Sequence, residues 1–105
     1  MKISVFLDDI CYKKRGMAYR GTTQVTSSGL VCQKWNVDNP HERYAAATNS
    51  SNFPDGNLEE AWNYCRNPNG SPSPWCYTTE KSVVWEACDI PKCESKSDNM
   101  DLLQF

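Results

Sequence analysis

Six cysteines and a single histidine are the residues in this 105-residue chain with the most chemistry to offer. Cysteine can hold a metal, attack as a nucleophile or close a disulfide, and spacing separates the three. A tetrahedral zinc site wants closely spaced ligand pairs, so that one turn delivers two ligands to the same ion. No Cys-x-x-Cys occurs; the tightest spacing is Cys88 to Cys93, followed by Cys65 to Cys76 and Cys76 to Cys88. No metal and no cofactor is expected on these grounds. An even count in a short chain reads instead as a disulfide framework formed in an oxidising compartment. Nucleophilic catalysis needs a base and an orienting group held beside the nucleophile. The only neutral-pH base is His41, with Asp38 and Glu42 near it in sequence, and no serine stands in a recognisable nucleophile context. An enzyme is not expected.

The framework is needed because the core is small. The chain has the length of one domain, its aliphatic supply is thin, and four tryptophans and five tyrosines must carry much of the burial. A net charge of −2 without a long basic run removes the general attraction to nucleic acid. No apolar stretch is long enough to span a bilayer, and Ile3 to Leu7 is too short for a signal-peptide core and runs into Asp8 and Asp9. The missing export signal conflicts with the disulfide reading. The conflict resolves if the chain is a piece of a longer secreted protein, or an incomplete gene product, that works outside the cell as a monomer.

Residues 1–10 read as an N-terminal flank, 11–93 as the domain, and 94–105 as a polar tail or the start of a neighbour, ending in the apolar Leu102, Leu103 and Phe105. Gly, Pro, Asn and Ser recur every few residues, which predicts mostly loops and little helix. The best strands are 75–78 and 83–86, joined by Thr79-Glu80-Lys81-Ser82 as an antiparallel hairpin. Alternation along the first strand puts Trp75 and Tyr77 together on an outer face and turns Cys76 inward. Leu58 to Trp62 could form a helical turn but is too short to assign from sequence.

The run from Cys11 to Cys93, about four fifths of the chain, resembles the kringle family, and several blocks are most similar to plasminogen-type kringles. The resemblance is carried by Cys11-Tyr12, Gly16, Tyr19-Arg20-Gly21, Thr26, Gly29, Cys32-Gln33-Lys34-Trp35 and Pro40-His41. It continues through Phe53-Pro54, Asn57-Leu58, the run Asn63-Tyr64-Cys65-Arg66-Asn67-Pro68, the run Pro74-Trp75-Cys76-Tyr77-Thr78, Trp85-Glu86, and Cys88-Asp89-Ile90-Pro91 with Cys93. It implies a small disulfide-rich kringle fold of loops and short antiparallel hairpins. It also selects among the pairings that spacing leaves open: Cys11 with Cys93, Cys32 with Cys76, and Cys65 with Cys88.

In lysine-binding kringles an aromatic trough carries an anionic pair at one end and a cation at the other. The resemblance places Trp75, Tyr77 and Trp85 in the trough walls and puts Asn69 and Ser71 where the acids would stand and Val84 where arginine is common. Losing a charge-assisted hydrogen bond forfeits roughly 1.5 to 3 kcal/mol, against about 0.5 to 2 kcal/mol regained from cation–π contact, so free lysine should bind weakly or not at all. Glu80 or Glu86 could restore the anionic end. Trp35 and Tyr19 read as core.

Three further features bear on partners. Asn49-Ser50-Ser51 and Asn69-Gly70-Ser71 are N-glycan acceptor tripeptides; occupancy is expected at Asn49 and not at Asn69, where Pro72 follows. Lys13-Lys14-Arg15 departs from the family and could attract sulfated polysaccharide, although a solvated loop is the commoner meaning of so short a run. Trp62, in a loop longer than the family's, is either core filler or an exposed contact. The resulting expectation is a non-catalytic module that binds extracellular proteins. Two alternatives are a fragment of a kringle-bearing serine protease and a structural spacer without a ligand.

Overall fold

The computed structural model describes residues 9–93; the flanks 1–8 and 94–105, including the apolar end of the tail, lie outside the described residues. Sulfur sits at the centre. Cys32 pairs with Cys76 and Cys65 with Cys88, and the four Sγ atoms lie within 4.8 Å of one another. All four cysteines are buried, and the two disulfides touch through Cys32 and Cys65 Sγ, 3.8 Å apart. Sequence spacing gave no hint of this cluster, and each sulfur is already bonded to another, so none offers a thiolate to a metal. Cys11 pairs with Cys93 at the edge, where Tyr12 N–H donates to Pro91 O at 3.0 Å and Cys93 N–H to Tyr12 O at 2.8 Å.

The same buried cluster holds an aromatic cage centred on Trp35, which is fully buried. Its ring meets Phe53, Trp75 and Tyr77 edge to face at 5.1, 5.2 and 5.9 Å, the geometry that ring quadrupoles favour. Its indole N–H donates to Tyr64 O at 2.7 Å, so burial leaves no orphan donor. Beside the cage Arg66, 2 % exposed, forms a two-point ion pair with Asp55 at 2.8 and 2.9 Å and donates to Gly21 O and Cys65 O. Its guanidinium lies between the rings of Tyr19 and Tyr64. One glycine is forced by packing: Gly16 has φ +82°, and a Cβ there would overlap Pro74, with its Cδ at 2.7 Å.

Regular structure is scarce, as the loop-rich composition predicts. Two 3₁₀ turns cover Ala45–Thr48 and Ser50–Asn52, α1 covers Leu58–Ala61, and strands β1, Trp75–Tyr77, and β2, Trp85–Ala87, form one antiparallel pair. Helix α1 begins where the Asn57 side chain accepts from Glu60 N–H at 2.8 Å, with Glu59 and Glu60 at the positive end of the turn. It ends at Trp62, whose φ of 51° cannot continue a right-handed helix.

The hairpin corrects two expectations. The second strand begins at Trp85, not at residue 83, because Thr78 Oγ1 donates to Val83 O and accepts from Glu80 N–H, drawing 79–83 into a tight turn. The register is Trp75 with Ala87, Cys76 with Glu86 and Tyr77 with Trp85. Nor do Trp75 and Tyr77 present an exposed face: they are 4 % and 1 % exposed, because the Trp35 cage and neighbouring loops cover both sides of so short a strand.

Candidate functional site

The aromatic cage opens to solvent along one edge. Six residues line a cleft of about 100 Å³: Tyr44, Asn69, Ser71, Trp75, Tyr77 and Trp85. Trp75 and Tyr77 form the floor, with ring centroids 4.9 Å apart, and Trp85 stands on Trp75 at 5.9 Å and 70°. Strand pairing sets this arrangement, since Trp85 faces Tyr77 across the ladder while Glu86 beside it turns away. The walls are open: Trp85 is 53 % exposed and Tyr44 70 %.

Tyr44 was not singled out from the sequence. It reaches the cleft from a distant loop, held because its backbone N–H donates to Tyr77 Oη at 3.0 Å. The only available signal was an aromatic residue in an otherwise polar stretch, Glu42-Arg43-Tyr44. Burial pushes the Tyr77 phenol above its ordinary value, so the floor stays neutral at physiological pH.

One end of the cleft is a polar lip built from the loop 67–71. Trp75 Nε1 donates to Asn69 Oδ1 at 3.0 Å, and Ser71 Oγ donates to the same oxygen at 2.7 Å. Asn67, fully buried, braces the loop from below: its Nδ2 donates to Ser71 O and Arg15 O, both at 2.7 Å, and its Oδ1 accepts from Ser71 N–H at 2.9 Å. Arg15 adds a strut from outside, donating to Gly70 O at 2.8 Å. One member of the basic run is thus tied to the lip.

Among the described residues the lining holds no carboxylate and no cation. Glu86 does not supply one. It leaves the cleft and accepts from Ser28 Oγ at 2.8 Å, and hydrogen bonds from Thr26 and Ser28 hold its carboxyl below the usual glutamate range. Glu80 lies in the hairpin turn, outside the lining, and Val84 is a half-exposed apolar side chain also outside it. Arg43, from the loop that carries Tyr44, is occupied by Asp38 at 2.7 Å and by Trp35 O.

The remaining candidates are dispersed. His41 is buried, with Nε2 2.9 Å from Glu80 O, and Gln33 bonds both its backbone N–H and its carbonyl, so the one base is built into the scaffold. Asn49 is exposed in the 3₁₀ region, its Oδ1 accepting from Ser51 N–H and Oγ, and it is not part of the cleft. Trp62 is 44 % exposed, with Lys34 Nζ 4.3 Å above its ring, and so is not core filler. Lys13, Lys14 and Arg15 are all exposed.

The family model for the kringle domain matches residues 11–93. Plasminogen from Capra hircus is 41% identical over 88 residues, an alignment covering 84% of this chain and 68% of that protein. With three disulfides, one two-stranded antiparallel sheet among the described residues and an aromatic cage at the centre, the chain belongs to the kringle family.

Proposed function

We propose that this chain is a non-catalytic, extracellular protein-binding module whose contact surface is the cleft of Tyr44, Trp75, Tyr77 and Trp85. The observation that carries the reading is the combination of a rigid aromatic floor with two exposed aromatic walls, closed at one end by an uncharged lip. Such a cleft gains affinity by burying apolar surface and by stacking, and has no fixed charge with which to anchor an ion. Trp75 and Tyr77 work as floor, Trp85 and Tyr44 as walls, and Asn69 and Ser71 as the neutral replacement for an anionic end. Weak or absent binding of free lysine follows, because neither an ammonium nor a carboxylate meets an opposite charge there.

Extracellular placement is supported by the three disulfides and by the kringle membership; no helix among the described residues is long and apolar enough to cross a membrane. A glycan at exposed Asn49 would leave the cleft open. Sulfated polysaccharide on Lys13, Lys14 and Arg15 is a subsidiary reading, weakened because Arg15 is committed to the lip.

The test is a titration of the oxidised protein with 6-aminohexanoate, followed by tryptophan fluorescence and by the Trp75 and Trp85 indole resonances. The proposal expects at most a weak, millimolar response. Saturation at micromolar ligand would show that the charged ends are dispensable.

A further inference from the structure

We propose that the lip of the cleft selects a neutral carbonyl-bearing end group, of which a primary carboxamide is the type, and turns ammonium away. The inference rests on the cleft being the binding surface. It begins with the direction of two hydrogen bonds. An indole N–H can only donate, so the Asn69 atom 3.0 Å from Trp75 Nε1 is the carbonyl oxygen. Ser71 Oγ, at 2.7 Å, donates its one proton to that same oxygen. Two donors fill the two lone pairs of an amide carbonyl.

What Asn69 has left is its NH2, and no group among the described residues accepts from it. What Ser71 has left is the accepting side of its hydroxyl. Neither can swap roles, because the loop is fixed from beneath by Asn67 and the indole that orients Asn69 belongs to a residue only 4 % exposed. The lip therefore shows a donor and an acceptor side by side. That pair is the complement of a carboxamide, whose carbonyl accepts from Asn69 and whose N–H donates to Ser71, while its aliphatic stem lies between Trp85 and Tyr44.

An ammonium in the same place meets N–H donors and one hydroxyl oxygen, with no negative charge to offset its desolvation. A carboxylate can accept from Asn69 but finds no cation in the lining. The lip thus reverses the polarity of an anionic pole as well as weakening it: the Asn69 group left without a partner among the described residues is a donor, where a lysine site needs an acceptor.

The experiment is an NMR titration of the oxidised full chain with three four-carbon probes, butanamide, butylammonium and butanoate, read on the Trp75 and Trp85 indole N–H signals. Butanamide is expected to shift both signals saturably and to bind about tenfold more tightly than butylammonium, the ratio for one hydrogen bond made rather than opposed. Asn69→Asp, which leaves acceptors for both Trp75 and Ser71 and adds a charge, is expected to invert that order and raise butylammonium affinity by about tenfold. Equal or tighter binding of butylammonium to the unsubstituted chain overturns the proposal, as does an unchanged order in the variant. A folded, unsubstituted protein whose indole signals respond to none of the three probes removes the cleft as a binding surface, and this inference with it. The order measured on the unsubstituted chain needs no substitution, so a failure of Asn69→Asp to fold leaves the test standing.

Discussion

The core and the cleft both rest on aromatic rings, yet they behave as opposite regions. In the core Trp35 meets three rings edge to face, its indole N–H and all three Arg66 nitrogens have acceptors, and exposure falls to a few per cent or less at Trp35, Arg66 and Tyr77. In the cleft Trp85 and Tyr44 are left open and the Asn69 amide has donors to spare. Trp75 belongs to both, with its ring in the cage and its N–H in the lip. Aromatic content alone therefore does not mark a contact surface in a stapled domain; the informative residues are those that packing leaves unfinished.

Substitutions should separate the two regions. Arg66→Ala removes the partner of buried Asp55 together with the packing between Tyr19 and Tyr64, and should cost about 3 to 5 kcal/mol in denaturant unfolding. Trp35→Ala opens a cavity at the centre of the cage at a similar cost of about 3 to 5 kcal/mol. Opening the Cys65–Cys88 disulfide by paired alanine substitution should cost about 2 to 5 kcal/mol, measured as a lowered thermal midpoint. Trp85→Ala is the converse case: its half-exposed ring should cost no more than about 1 kcal/mol of stability while abolishing any ligand response in the cleft. Equal stability losses at Trp35 and Trp85 would erase the distinction.

The smallest expected effect is one of pH. Hydrogen bonds to Glu86 lower its folded pKa below the unfolded value, so its contribution is present above the unfolded pKa and is lost as pH falls through the folded one. Asp38, held down first by its side-chain bond to Arg43, acts in the same direction. Glu86→Gln should flatten the loss of stability on acidification without changing ligand response, because Glu86 faces Ser28 and not the cleft. An altered ligand titration would place Glu86 at the site after all.

The sequence made these regions legible to different degrees. Cysteine count and composition were enough for a stapled, loop-rich domain, whereas the pairing came only through the resemblance, because spacing leaves many pairings open. Trp75 and Trp85 were singled out by their positions in the family pattern, but the exposed face expected for Trp75 and Tyr77 was wrong. Strict alternation assumes a strand with one wet side, and β1 is three residues packed on both. Tyr44 escaped because it meets Tyr77 across 33 residues of chain, and the Arg66–Asp55 pair because its partners lie 11 residues apart on either side of α1, outside any regular spacing. The donor character of Asn69 could be read only once Trp75 Nε1 and Ser71 Oγ were seen to converge on one oxygen.

On the proposed reading the cleft is an aromatic receptor without charged ends. The direct measurement is the affinity of 6-aminohexanoate for the unsubstituted chain and for a variant carrying Asn69→Asp, Ser71→Asp and Val84→Arg, read on the Trp85 indole signal. A weak or flat response is expected from the first and saturable binding at least about tenfold tighter from the second. Equal affinities, or a folded variant that stays flat, would contradict that reading.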